Sequence, residues 1–309
     1  MSLPVEEQAK RYGADSYMIH RADLQEALVE AVNQETICVG HRLLGFTQGE
    51  HGVRVCFENG AEAHGDILIG ADGIHSQVRR QLFGEEPLRY SGYTAVRGIT
   101  TYDHERYPVE TGGGFEAWGK GVRFGLSHIG KGRVHWFAAI NAAAGAEKLM
   151  AGDKESVLSR FFDWYAPVRE CIAQTDSVNM LWNDIYDRKP LRRWSVGRVT
   201  LAGDAAHPML PNLGQGAGQG MEDALVLARC LQQETVCEDG EEDGLETALR
   251  KYETERMSRT AAITRGSRLM GRMVQLENPF ATASRNLMLR LIPPTVQSRR
   301  LDWIVGHEV

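Results

Sequence analysis

Between Arg198 and Gly220 the chain reads Arg-Val-Thr-Leu-Ala-Gly-Asp-Ala-Ala-His-Pro-Met-Leu-Pro-Asn-Leu-Gly-Gln-Gly-Ala-Gly-Gln-Gly, and no other stretch constrains the fold as much. Val199–Ala202 is an apolar run without polar alternation, the pattern of a strand covered on both faces in a parallel sheet. It ends at once in Gly203-Asp204. Open α/β sheets place ligands outside the carboxyl ends of such strands, where an acidic side chain can accept a hydrogen bond from a ribose hydroxyl. Glycines at 214, 216, 218 and 220 then precede an amphipathic segment that starts near Met221. They let backbone N–H groups approach a guest closely, and a helix N-terminus adds partial positive charge. An anionic oxygen or the electron-rich edge of a ring fits such a cradle. Gly-Asp alone would read as an ordinary cap or turn; strand, acid and glycine cradle in succession do not.

A second strand end has the same character. Asp66-Ile-Leu-Ile-Gly-Ala-Asp-Gly73 is again an apolar run closed by Asp72 and Gly73, and it too reads as a strand buried on both faces. Ahead of it, Leu24, Leu28 and Val32 recur every four residues, which predicts a helix over 21–32 with one buried stripe. Strand-like runs follow at Thr36–Val39, His41–Thr47 and Gly52–Phe57, and Asn59-Gly60 predicts a hairpin turn.

Residues 88–189 differ. Gly121–Ile129 and Arg133–Ile140 alternate, with Val134, Trp136, Ala138 and Ile140 on one side, and Gly-rich turns at Gly112-Gly113-Gly114 and Gly130-Lys-Gly132 separate them. An antiparallel sheet covered on one face is expected. Asp153 should cap a helix running to about Tyr165, and Pro167 should start another. Further helices are expected over 216–233, 245–274 and 280–305, the last broken by Pro293-Pro294, with Glu238–Gly244 as an acidic loop. The fold class is α/β: a parallel-sheet domain from 1–87 and 190–309, with an antiparallel sheet domain inserted over 88–189 and helices at the C-terminal end.

Composition removes several functions. Formal charge is −6 and the basic residues are scattered, including the pairs Arg79-Arg80, Arg192-Arg193 and Arg299-Arg300, so nucleic acid is not an expected partner. No apolar run approaches the roughly 18 residues of a membrane span, and the N-terminal residues do not resemble a signal peptide. A cytoplasmic location is expected. Five cysteines, Cys38, Cys56, Cys171, Cys230 and Cys237, form no CxxC pair, and ten histidines show no HExxH spacing, so neither disulfides nor a metal site is expected.

The string Leu201-Ala-Gly-Asp-Ala-Ala-His-Pro-Met-Leu-Pro-Asn-Leu-Gly-Gln-Gly-Ala-Gly-Gln-Gly-Met-Glu-Asp-Ala-Leu225 resembles the flavin-binding Gly-Asp motif of the FAD-dependent aromatic hydroxylases, near their zeaxanthin epoxidase, salicylate hydroxylase and urate hydroxylase branches. Ile69-Gly-Ala-Asp-Gly-Ile-His-Ser-Gln-Val-Arg79 resembles the same family's Asp-Gly motif, and His20-Arg-Ala-Asp-Leu-Gln-Glu-Ala-Leu28 its arginine-bearing helix. The similarity covers nearly the whole chain. It implies that Gly203 and Asp204 serve the ribitol or ribose side of FAD, and that Gly214, Gln215 and Gly216 offer N–H groups to the flavin's pyrimidine edge. It also implies that Pro211 packs beside the ring and that Arg21 meets the phosphate or ribose region. Asp72 and Gly73 would serve the region shared with the nicotinamide. Arg21 and Asp72 read equally well as an ion pair or as caps.

A monooxygenase of this kind takes electrons from NADPH or NADH and transfers one atom of molecular oxygen to a small aromatic or unsaturated substrate. The inserted sheet would then roof the substrate pocket, with Arg97, Arg123 and His135 the residues to point from it, since each alternates with an apolar neighbour. In the urate-oxidising branch an acid is expected where Asn212 stands; Asn cannot act as a base, so urate is disfavoured.

One family element is missing from these 309 residues: no GxGxxG turn follows a strand, and residues 1–20 contain no apolar run. The flavin-binding Rossmann-like domain is therefore expected to be incomplete, without its first βαβ half. A truncated form with weakened FAD binding, or an inactive remnant that binds a ligand or partner, is the corresponding expectation.

Overall fold

The computed structural model describes residues 5–13, 15, 17–107, 113–150, 152–235, 244–292, 302–304, 306 and 307. In chain order the elements begin with α1 (Val5–Tyr12), α2 (Arg21–Glu30), β1 (Leu43–Gly49), β2 (Gly52–Phe57), β3 (Glu62–Gly65), β4 (Leu68–Gly70) and α3 (Gln77–Phe83). Next come β5 (Arg89–Thr101), β6 (Gly114–Trp118), β7 (Val122–His128), β8 (Arg133–Asn141), α4 (Ala146–Met150), α5 (Lys154–Arg160), α6 (Ala166–Gln174) and β9 (Met180–Asp187). The last are β10 (Val199–Leu201), α7 (Gly216–Thr235), α8 (Gly244–Val274) and α9 (Pro279–Leu291). Cys237, Arg299-Arg300, Pro293-Pro294, Gly112 and most of the expected acidic loop lie outside the described residues.

Two compact units form. One joins Ile37–Ser91 with Tyr186–Gly271 and Val309; the other joins Met1–Thr36, Gly92–Ile185 and Arg272–Glu308. The sequence grouped residues 1–36 and 272–309 with the parallel strands, whereas the described residues among 5–36 and 272–307 fall in the unit of the antiparallel sheet. Long-range polar contacts do this: Asp23 of α2 pairs with Arg133 of β8, and Asn141 of β8 donates to the Gln275 carbonyl at 2.9 Å.

In the first unit β10 and β4 run parallel, Val199 opposite Leu68 and Leu201 opposite Gly70. Double burial holds for Val199, Thr200 and Leu201, all fully buried, but not for β4, where Ile69 is 41 % exposed. Each strand has the other as its only strand partner among the described residues, so the difference lies in what packs on them: Val199 and Leu201 join the core cluster of this unit and Ile69 does not. Gly70 is required where it stands, because a Cβ there would lie 2.7 Å from the Cβ of Val78 and would push α3 off the strand end. β1, β2 and β3 form an antiparallel meander with Gly60 in the left-handed region (φ +81°), as the Asn-Gly turn predicts. The expected strand at Thr36–Val39 is absent; residues 34–36 form a single 3-10 turn, and Ile37 and Val39 are exposed with no ladder to join. Trp194, Val199, Leu201, Val226, Leu227, Leu249 and Tyr252 close the core, each of the aliphatic ones worth roughly 1.5–3 kcal/mol of burial.

The second unit is built on a five-stranded sheet, β6-β7-β8-β5-β9. Val134, Trp136, Ala138 and Ile140 are buried on one face against Val157, Phe161, Val168 and Ile172 of the α5–α6 region, as their alternation requires. Gly98, paired with Trp136, leaves room for the indole, since a Cβ there would lie 2.6 Å from the ring. Asp153 caps α5 by accepting from the Ser156 N–H at 2.9 Å, and Pro167 sits in the first turn of α6. The first of these helices stops at Arg160, short of Tyr165. Lys131, in the Gly-Lys-Gly turn, has φ +55°. Helix α2 forms where expected but buries no residue: Leu28 and Val32 are about half exposed, so its apolar stripe has no partner among the described residues. Among the described residues no helix is long and apolar enough to cross a membrane, and no group of His, Cys, Asp and Glu is arranged to hold a metal ion.

Candidate functional site

The first unit contains the glycine cradle. After β10 the chain makes a tight turn at Gly203–Ala205, with Gly203 at φ +57°, which leaves Asp204 exposed at the strand's carboxyl end. A second turn at Pro211–Leu213 closes on Gly214, again left-handed at φ +64°, and α7 begins at Gly216. The two turns meet. A Cβ on Gly216 would lie 4.0 Å from Asp204 Oδ1, and one on Gly220 would lie 3.8 Å from the Gly203 Cα. Asp204 therefore stands beside the N-terminal turn of a 20-residue helix, the cradle that the glycine spacing predicts. Around Gly214 and Gly73 there is open space within 4 Å of an added Cβ. An acceptor carboxylate, a helix N-terminus and uncrowded glycines fit the ribitol hydroxyls and pyrimidine edge of a flavin.

Asp72 occupies the adjacent strand end, since β4 lies beside β10. Its carboxylate caps α3, accepting from Ser76 Oγ at 2.5 Å and from the N–H groups of Gln77 and Val78 at 2.7 and 3.2 Å. Asn212 is tied down: its Nδ2 donates to the Ser267 carbonyl at 2.9 Å, while Ser267 Oγ donates to the Leu210 carbonyl at 2.5 Å. The pair of bonds staples the Pro211 turn to α8, and Gly271 permits the approach, because a Cβ there would lie 2.5 Å from Asn212 Nδ2.

Sequence reasoning missed a group of buried charged residues around the Gly203 turn. Asp223, fully buried on α7, accepts from the Gly203 N–H (2.8 Å), His207 Nε2 (2.6 Å) and Arg256 Nε (2.8 Å). Burial alone would raise its pKa; His207, Arg256 and the Gly203 amide outweigh this and hold it below the ordinary carboxylate range. Arg256 also bonds Glu222 and both the backbone and side-chain oxygens of Gln219. The available signal was Glu222-Asp223 following the glycines, two acids on a helix that otherwise turns an apolar face to the core.

In the second unit, Arg97, Arg123 and His135 share the sheet face opposite α5 and α6. Register fixes this: Arg97 pairs with Phe137, Arg123 with Ala139 and Ser127 with His135, all out of phase with the buried Trp136 row. Arg123 is 3 % exposed, with its guanidinium 5.6 Å from the Tyr93 ring centroid and 5.4 Å from that of Phe137, and it bonds Glu116 at 3.1 Å. Glu116 also accepts from the Trp118 indole at 2.7 Å. Arg97 bonds Asn183. Burial, followed by Arg97 and His20, lowers the pKa of His135, so the imidazole is neutral at pH 7. Arg21 begins α2 in this unit and contributes to lowering the pKa of Arg97, after burial. It makes no ion pair with Asp72, which lies in the other unit.

Residues 172–267 match the family model described as an FAD binding domain. The aurachin C monooxygenase/isomerase of Stigmatella aurantiaca is 40% identical over 94% of this chain and 73% of its own length. The chain belongs to the FAD-dependent monooxygenase family. Another member, the chloroplastic zeaxanthin epoxidase of Solanum lycopersicum, is 39% identical over 80% of the chain but only 37% of its own length. Among solved structures, Klebsiella pneumoniae HpxO complexed with FAD and uric acid superposes with a TM-score of 0.86 at 29% identity, covering 97% of this chain and 75% of that one. Members of this family act on aromatic or unsaturated substrates.

Proposed function

We propose that this chain binds FAD and, with NADPH or NADH and molecular oxygen, hydroxylates or epoxidises a small aromatic or unsaturated substrate. The observation that carries this is the approach of Asp204 to the glycine start of α7. On this reading Asp204 accepts from ribitol or ribose hydroxyls, while the N–H groups of Gly214, Gln215 and Gly216 face the pyrimidine edge. Those preorganised N–H groups would favour negative charge on a flavin held there. Pro211 borders the ring, Gly203 shapes the turn, Arg21 serves the phosphate or ribose region, and Asp72 and Gly73 the region shared with the nicotinamide. When bound, FAD supplies two-electron chemistry with the nicotinamide and activation of O2. The protein contributes orientation, exclusion of water and proton control.

Arg123, held between two aromatic rings, and neutral His135 line the substrate side. Arg123, paired with Glu116, fixes the aromatic wall of Tyr93 and Phe137, and His135 presents an uncharged imidazole that can hydrogen-bond a substrate group. Asn212 donates to a backbone carbonyl and does not act as a base, which disfavours urate as the substrate.

The alternative reading is a catalytically inactive protein that binds a ligand or partner through the same site. Flavin absorbance near 450 nm and NAD(P)H-driven oxygen uptake decide between the two. Asp204→Ala should lower flavin occupancy, and Arg123→Ala should change substrate turnover with flavin retained. Equal flavin loss in both variants refutes this division of roles, and flavin binding without oxygen uptake supports the alternative.

A further inference from the structure

Asp204 presents its side chain to solvent, yet the backbone that carries it is buried and held by charged groups from two directions. On one side is Arg79 of α3, 3 % exposed, whose Nη1 donates to the carbonyls of both Ala205 and Ala206 at 3.1 Å. Its other Nη bonds Glu86 at 2.8 Å, which fixes the plane of the guanidinium. On the other side is Asp223, which accepts from the Gly203 N–H and is itself gripped by His207 and Arg256.

Within the turn, the amides of Ala206 and His207 both bond the Gly203 carbonyl, at 3.0 and 2.9 Å. The remaining backbone groups on the turn's inner side are thus met by ionised partners, one from α3 and one from α7. Charge-assisted bonds are shorter and more directional than neutral ones, so they fix position as well as satisfy polarity. Arg79 reaches across 126 residues of sequence to do so. Because Asp72 caps the same helix that carries Arg79, the two strand-end acids are mechanically linked through α3.

We infer that Arg79 and Asp223, the latter braced by His207 and Arg256, are positioning residues that clamp the Asp204 turn for flavin binding. This rests on the reading that Asp204 holds FAD. Neither residue is assigned contact with the cofactor; they act through the backbone of residues 203–206. Recognition sites tolerate displacements of only about 0.5 Å, so a loosened turn weakens flavin binding even when the fold survives.

The test uses the full chain with Arg79→Met and Asp223→Asn. Arg79→Lys serves as the conservative variant, and Arg285→Met as a structural control. Arg285 is a fair control because it too is buried and donates to two consecutive carbonyls, those of Met273 and Val274, in the other unit. Three quantities are measured: thermal stability, hydrogen exchange of the peptide spanning 199–208, and the FAD dissociation constant by flavin fluorescence titration. Arg79→Met and Asp223→Asn should accelerate exchange of the Gly203, Ala206 and His207 amides at least tenfold and raise the FAD constant at least tenfold. Arg79→Lys should fall between them and the parent. Arg285→Met should lower the melting temperature while leaving turn exchange and FAD affinity unchanged. Parental exchange in Arg79→Met overturns the clamp. Faster exchange with an unchanged FAD constant overturns its connection to flavin. An Asp204→Ala chain that binds FAD as the parent does overturns the reading of Asp204, while the exchange data still decide whether the clamp exists.

Discussion

Gly125→Ala probes the packing that holds Arg123. Gly125 of β7 is paired with Phe137 of β8, and a Cβ built on it would lie 2.2 Å from Phe137 Cε1 and 2.6 Å from Cζ. Ordinary carbon contacts are about 3.5–4.0 Å, so the ring edge must retreat by roughly 1.3 Å or more. Phe137 is only partly buried and can move, but the same ring lies 5.4 Å from the Arg123 guanidinium. Overpacking of this kind costs about 1–3 kcal/mol, and weakening the cation–π contact adds about 0.5–1 kcal/mol. A gain of about 0.4–1 kcal/mol from the stiffer unfolded chain offsets part of this, because Gly125 is not left-handed and Ala meets no backbone strain there. The midpoints of these ranges give a net destabilisation of about 2 kcal/mol. At about 2–4 °C per kcal/mol for chains approaching this size, the melting temperature should fall by roughly 4–8 °C in a calorimetric scan. Combining Gly125→Ala with Phe137→Leu should recover part of the loss, because a smaller side chain leaves space for the methyl. A melting temperature within 1 °C of the parent, or strict additivity in the double variant, would refute the argument that ring and glycine compete for one space.

Two further outcomes are expected. Asn212→Asp replaces the donor to the Ser267 carbonyl with an acceptor, so the Pro211 turn should loosen at a cost of about 1–3 kcal/mol in urea unfolding; an unchanged midpoint would show that the staple contributes nothing. His135 has its folded pKa lowered by burial and by neighbouring Arg97 and His20, from an ordinary value of 6.5. Its stabilising share is therefore complete above about pH 6.5 and is lost as pH falls through the lowered folded value. His135→Gln should flatten the stability profile below pH 6.5, and identical profiles for variant and parent would remove His135 as its cause.

The legible part of the molecule is the part written in consecutive residues. Val199–Ala202, the Gly203 turn, Gly214 and the helix that opens on Gly216, Gly218 and Gly220 are a continuous run, so strand, turn and cradle follow from burial pattern, glycine freedom and helix polarity with little help from elsewhere. The same holds for the Val134–Ile140 alternation, the Asn59-Gly60 turn, the Asp153 cap and Pro167. The two-residue period sets Arg123 and His135 apart from their apolar neighbours, while the register between β5, β7 and β8 brings them and Arg97 to one face.

Other features depend on what lies opposite in space. The apolar stripe of α2 is genuine in sequence, yet Leu28 stays 53% exposed because periodicity states that a face could be buried and not that anything covers it. Ile69 is exposed because it stands outside the core cluster that takes in Val199 and Leu201, and Thr36–Val39 has strand-forming residues but no ladder among the described residues. The clamp on the Asp204 turn is the clearest instance. Asp204 could be located from its own neighbours, but the partners of its backbone, Arg79 and Asp223, come from other elements. Sequence by itself located the glycine cradle, the turns and the strands with a clear burial pattern, because those depend on torsions and side-chain periods over a few residues. Tertiary structure alone decided which buried charges hold the Asp204 turn and which apolar faces are covered, because desolvation and charge pairing depend on what the whole fold brings together.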